Sequence, residues 1–172
     1  MRIAIAFLLF LSGLARAGEV QPIGICEILK DPAPWNGKMI EVTGPIVSVQ
    51  DYWVMGTGCD GMLEVKSTKF LSGFVLEYPS NKATHYHKVN FDWDQASRAE
   101  LNTLADEAKR TKRKVIATVV GMFETQVPID KLIDMTAPYK YRGFGHMGGA
   151  PGQIIVKTIK NMRIEEKGPL AR

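Results

Sequence analysis

Histidine and cysteine are scarce in this 172-residue chain, with three of the first and two of the second. Three imidazoles, His85, His87 and His146, give little material for a closed metal site, which needs four ligands. No Cys-x-x-Cys spacing occurs, so redox dithiol chemistry has no motif to rest on. Gly-x-Ser-x-Gly, His-Glu-x-x-His and a Gly-Lys-Ser/Thr phosphate loop are all missing. The one adjacent carboxylate pair, Glu165-Glu166, falls in a tail, so no catalytic constellation stands out and no cofactor is implied. Beyond the first seventeen residues no apolar run nears the length of a membrane span. A charge excess is lacking too. Lys and Arg total 22 against 18 Asp and Glu, and two of those bases, Arg2 and Arg16, precede residue 18. The small remainder gives no bulk reason to expect a polyanion partner.

What is present begins with a leader. Met1-Arg2 is a short positive start, Ile3 to Leu14 is almost wholly apolar, and Ala15-Arg16-Ala17 fits a small-x-small cleavage site. That pattern predicts a signal peptide over 1–17 and a periplasmic or secreted mature chain over 18–172, long enough for one domain with a real core. An uncut membrane anchor is the alternative reading of the same residues. In an oxidising compartment an even cysteine count favours a bridge, here Cys26–Cys59. Free or redox-active thiols are the competing reading. Lipid modification of Cys26 is rejected, because it lies well past the apolar run and follows Ile25 rather than a small residue.

Along the mature chain, Ile25, Ile28 and Leu29 predict a short helix carrying Cys26, ended by Asp31-Pro32-Ala33-Pro34 and followed by an Asn36-Gly37 turn. Residues 38–50 predict a long first strand with Gly44 in its middle, where it must bend to serve two sheets. A second strand is expected near 53–55, a glycine-rich loop over 56–61, and a third strand over 62–65. Residues 66–91 read as a partly extended insertion. Residues 97–110 form the clearest helix: Ser97-x-x-Glu100 fits a capping box, and Leu101, Leu104, Ala105 and Ala108 make one apolar stripe. Residues 114–125 read as a central strand, apolar on both faces. A long loop over 126–152 rich in glycine, proline and aromatics precedes a last strand over 153–164 and a flexible tail over 165–172. No internal repeat is found. A helix between strands three and four of a five-stranded barrel is the OB arrangement, so the expectation is a mainly β, OB-like domain with a short N-terminal helix. An open α+β sandwich is the main alternative.

The stretch Cys26-x-Ile28-Leu29, Pro32, Trp35-x-Gly37-Lys38-x-Ile40-x-Val42-x-Gly44 resembles the opening of uncharacterised bacterial exported proteins with a disulfide-linked OB-fold-like domain. Cys59 after strand two, Thr118 to Phe123, Gly143-Phe144-Gly145-His146 and Gln153 to Val156 are similar to later parts of that group, whereas Gly148-Gly149 departs from it. The resemblance spans most of 26–164 and implies the fold and export, without an activity.

Three surfaces carry candidate chemistry. Tyr139, Tyr141, Arg142, Phe144 and His146 lie on the loop that borders the usual ligand face of such barrels, and could contact a sugar, a base or a peptide. Phe144 and His146 could instead fold back and plug the barrel end. Lys109, Arg110, Lys112, Arg113 and Lys114 could bind polyanions, or could be a solvated helix end that suits the dipole. No aromatic interrupts that run. His85-x-His87, with Asp92 and Asp94 nearby and His146 further on, could hold Zn or Cu, or could be plain loop histidines. The reading that follows is an exported cell-envelope binding or interaction module acting through the barrel face and the 126–152 loop. Its partner would be another envelope protein or an oligosaccharide. A nucleic-acid or oligosaccharide-binding OB domain is the alternative, and a metal-dependent hydrolase the second.

Overall fold

The computed structural model describes residues 20–49, 52–56, 59, 63–82, 85–136 and 142–166. Residues 1–17, read above as a signal peptide, most of the loop around Gly58, and Tyr139 and Tyr141 lie outside the described residues. In chain order the elements are β1 (Gln21–Pro22), α1 (Ile25–Lys30), β2 (Met39–Val49), β3 (Tyr52–Gly56), β4 (Glu64–Val65), β5 (Thr68–Lys69), β6 (Gly73–Glu77), α2 (Gln95–Arg110), β7 (Val115–Thr125) and β8 (Gly152–Ile164).

β2 does the work expected of a bent first strand. Its first part pairs antiparallel with β7, from Met39↔Met122 to Ile46↔Val115, and its last part pairs with β3, from Ile46↔Met55 to Val49↔Tyr52. The change of partner occurs just past Gly44, where a Cβ would collide with Ile25 of α1. β3 continues to β6, β6 to β8, β8 to β7, and β7 returns to β2, so the sheet closes. β6 and β8 run parallel, which requires a crossover, and α2 lies within it. The result is a mainly β, OB-like barrel of five strands, with a helix between barrel strands three and four and a short helix before the first.

The interior follows the period of two. Ile40, Val42 and Ile46 of β2, Phe74 and Leu76 of β6, Val119 and Phe123 of β7, and Ile154 and Val156 of β8 share one core. Phe74 and Phe123 meet edge to face at 5.0 Å. α1 adds Ile25, Ile28 and Leu29, and α2 adds Leu101 and Ala108, with Leu104 and Ala105 partly buried beside them.

Two details differ from the sequence reading. The third barrel strand is Gly73–Glu77, within the stretch read as an insertion, and not residues 62–65. Glu64–Val65 instead forms a two-residue hairpin with Thr68–Lys69 outside the barrel sheet. Every residue of β6 is buried, because the strand has core on one side and a loop on the other, so it shows no alternation. The helix also starts earlier than a Ser97 cap would allow. Asp94 is the N-cap, its carboxylate accepting from the Ala96 and Ser97 amides. Ser97 sits inside the first turn, donating to the Asp94 carbonyl and accepting from the Ile159 amide.

Cys26 and Cys59 are bonded, with their Cα atoms 5.6 Å apart. The bridge ties α1 to the chain that follows β3. Closing a loop of 33 residues stabilises the fold by about 3–4 kcal/mol in the chain-entropy description.

Candidate functional site

The 126–152 loop is built onto the barrel rather than hung from it. Its first part contributes Leu132 and Ile133 to a satellite core with Val65 and Phe70. Its last part doubles back, with the Phe144 amide donating to the Ala150 carbonyl and the Ala150 amide to the Phe144 carbonyl. Gly145, at φ +72, lies on Val75 so closely that a Cβ would clash with it. Phe144 is 6% exposed and packs with Val75 and Ala150, with Tyr52 at the margin. Because Phe74 and Leu76 point into the barrel, Val75 points out. Phe144 therefore neither faces solvent nor plugs the barrel end. It covers the outer side of β6, part of the face on which other OB barrels hold ligands.

Covering that face displaces apolar surface outward. Among the described residues the large hydrophobic side chains left most exposed are Leu71, Tyr86, Val127, Met135 and Met147. Three belong to the loop. The Leu71 amide donates to the Gly149 carbonyl. The Tyr86 ring packs edge-on against Phe144 at 5.4 Å, and its hydroxyl accepts from Gln126. Met147 is 64% exposed and sits at φ 55, in the left-handed region that side chains other than glycine, asparagine and aspartate rarely adopt. The backbone of His146 belongs to the same short turn; its side chain is outside the described set.

Arg142, the remaining predicted loop residue, is half exposed and pairs with Asp134 at 3.2 Å. The Thr136 hydroxyl and amide both donate to the Asp134 carboxylate. Those bonds from Thr136, and then Arg142, hold its pKa down at about 2. Lys66, Gln126, Asp130 and Met135 border the same open cleft, of about 580 Å³.

A larger cleft, of about 710 Å³, has Lys82, His85, Tyr86, Lys88, Phe91 and Trp93 among its walls. Behind its Tyr86–His87 wall lies Glu124, which sequence reading missed because the residue looks like one more polar position late in a strand. Glu124 is fully buried. Its carboxylate accepts from the Tyr86 and His87 amides, at 3.1 and 2.7 Å, and from the Gln153 side chain at 2.8 Å. Nδ1 of His87 lies 3.1 Å from the same carboxylate. One buried carboxyl group thus ties down the Tyr86–His87 stretch, which has no regular structure of its own. Beside it, Trp93 meets Tyr78 at a tilt with ring centres 4.7 Å apart, and the Arg98 guanidinium sits 4.4 Å from the Tyr78 ring. Burial pushes the Tyr78 phenol pKa up, partly opposed by Arg98 and reinforced by Glu77.

Among the described residues the histidine–aspartate metal set is not brought together, and the His146 side chain lies outside them. His87 is engaged by Glu124, Asp94 caps α2 and also meets Thr158, and no cluster of three ligand-type side chains occurs among the described residues. The basic run is split. Lys109, Arg113 and Lys114 line a groove with Trp53, whereas Arg110 and Lys112 do not. Trp53 supplies the aromatic absent from the run itself, brought there from β3 by the barrel. No ion pair among the described residues takes Lys109, Arg113 or Lys114.

Neither the scan against protein-family models nor the search of curated proteins finds a match to this chain.

Proposed function

We propose that the protein is an exported binding module of the cell envelope, which meets a protein partner through the outer surface of the 126–152 loop. The observation that carries this reading is where the exposed apolar side chains fall. Leu71, Tyr86, Val127, Met135 and Met147 all lie on that loop or on a residue bonded to it or packed against it. Large apolar side chains concentrated on one region favour a contact surface over chance exposure. Two of them are methionines, whose flexible thioethers adapt to a partner. A methionine held at positive φ in full view costs stability without any return inside the fold. Export is supported by the leader pattern, by the disulfide, which persists in oxidising compartments, and by the resemblance of 26–164 to exported proteins.

The test is a quantitative pull-down from envelope extract with wild type and a Met135→Lys/Met147→Lys double variant. The variant should keep its melting temperature, since both side chains are exposed, and lose the specific partner. An unchanged partner set would rule out the loop surface.

The groove holding Trp53, Lys109, Arg113 and Lys114 favours a second reading, a polyanion-binding OB domain. An aromatic beside unpaired cations is the combination that stacks a base and neutralises phosphate. That reading requires binding to single-stranded DNA or heparin that weakens steeply with salt; no binding at low salt would end it.

A further inference from the structure

The cleft lined by residues of 79–82 and 85–93 shares Tyr86 with the loop surface and is otherwise walled by different residues. We infer that it is a site for a sugar ring bearing one anionic group, a carboxylate or a phosphate. Its walls combine the two kinds of group such a ligand needs. Tyr86, Phe91 and Trp93 offer flat apolar surface for the C–H face of a sugar ring, and Lys82 and Lys88 offer charge. Neither lysine forms an ion pair among the described residues, and Asp92 is the one carboxylate in the lining.

His85 gives the inference direction. Its Nε2 is buried and has no hydrogen-bond partner among the described residues. An unmet buried polar atom costs on the order of 1–3 kcal/mol, and a small turn of the His85 ring toward the cleft would let a ligand oxygen remove that cost. Such a group calls for an explanation in any native structure.

Part of the wall is held in place. Glu124 accepts from the Tyr86 and His87 amides, while Tyr78 and Arg98 pack on Trp93 from the side. Walls held in this way lose less entropy on binding. The volume of about 710 Å³ lies within the usual range for small-ligand sites.

The probes are glucuronate, glucose 6-phosphate, glucose and inorganic phosphate. They are titrated into a Trp35→Phe/Trp53→Phe variant, in which Trp93 is the remaining fluorophore, and by calorimetry into wild type in case that variant does not fold. At least one anionic sugar should give a saturable change that glucose does not, and salt should weaken it. Which of the two binds identifies the anion. His85→Ala and Lys88→Ala should each weaken binding by about tenfold, the loss of roughly one charge-assisted hydrogen bond, with Glu107→Ala as an unchanged control. The Met135→Lys/Met147→Lys variant should bind the sugar normally, so failure of the loop surface and failure of this site are read apart. Absence of binding by both anionic sugars overturns the inference. So does inorganic phosphate binding as tightly as glucose 6-phosphate, because the ring would then contribute nothing.

Discussion

Glu124 and Asp134 are both acidic and both accept several hydrogen bonds, yet they serve the molecule differently because one is buried and the other is not. Glu124 is sealed in, and its removal takes the acceptor from the part-buried Tyr86 and His87 amides and from the buried Gln153 side chain. Glu124→Ala should cost about 3 kcal/mol, since the Tyr86 and His87 amides and the Gln153 amide all lose an acceptor. Hydrogen exchange should show those two backbone amides unprotected in the variant, and protection at the wild-type level would contradict the arrangement. Asp134 is exposed, so its effect is read by titration. Its folded pKa of about 2 lies below the ordinary 3.8. Ionised Asp134 therefore favours the folded loop. That contribution is whole above the unfolded pKa and is lost as pH falls through the folded one. Carboxyl NMR should find the midpoint near 2, and Thr136→Ala should raise it toward 3.8. A wild-type midpoint already at 3.8 would remove the Thr136–Arg142 anchor from the account. At this scale the sequence could name Arg142 and Phe144 as notable. It could not say that Phe144 would be spent covering Val75, because Val75 has no visible pattern that asks for a cover.

At the scale of elements, legibility followed periodicity. β2, β7, β8 and α2 are long and regular, and their spans were readable to within two residues, as was the bend at Gly44. β6 was not, because Phe74, Val75 and Leu76 are apolar in succession, and a short unbroken run carries no period. The β4–β5 hairpin was hidden for another reason. Its turn places Lys66 at φ 48 and Ser67 at φ 60, the conformation usually announced by Asn-Gly. The closeness of β7 and β8 is testable at Gly121, where a Cβ would run into the Ile155 carbonyl. Gly121→Ala should lower stability by about 2–3 kcal/mol on denaturant unfolding. A neutral effect would mean the two strands are further apart than described. The basic run shows the opposite failure. Its cations were plain in sequence, and the aromatic that gives them a use arrives from Trp53, more than fifty residues earlier in the chain.

The whole molecule combines a closed barrel, a bridge pinning its first helix, and a long loop that covers part of one outer face and turns apolar side chains toward solvent. The bridge fits the export proposed above. Reduction, or Cys26→Ser, should lower the melting temperature by about 10 °C, from the loop-closure term and the entropy of unfolding for a domain of this size, with far-UV circular dichroism unchanged. An unaltered melt on full reduction would deny the bridge its structural role. The loop is where the account is most exposed to refutation. A photo-cross-linking residue placed at Met135 or Met147 in cells, against one at Glu107 on α2, reads the proposed contact surface directly. The expected result is one discrete protein adduct from both loop positions and none from 107. No adduct from either loop position, or the same adducts from all three, would contradict the reading of that surface as the binding face.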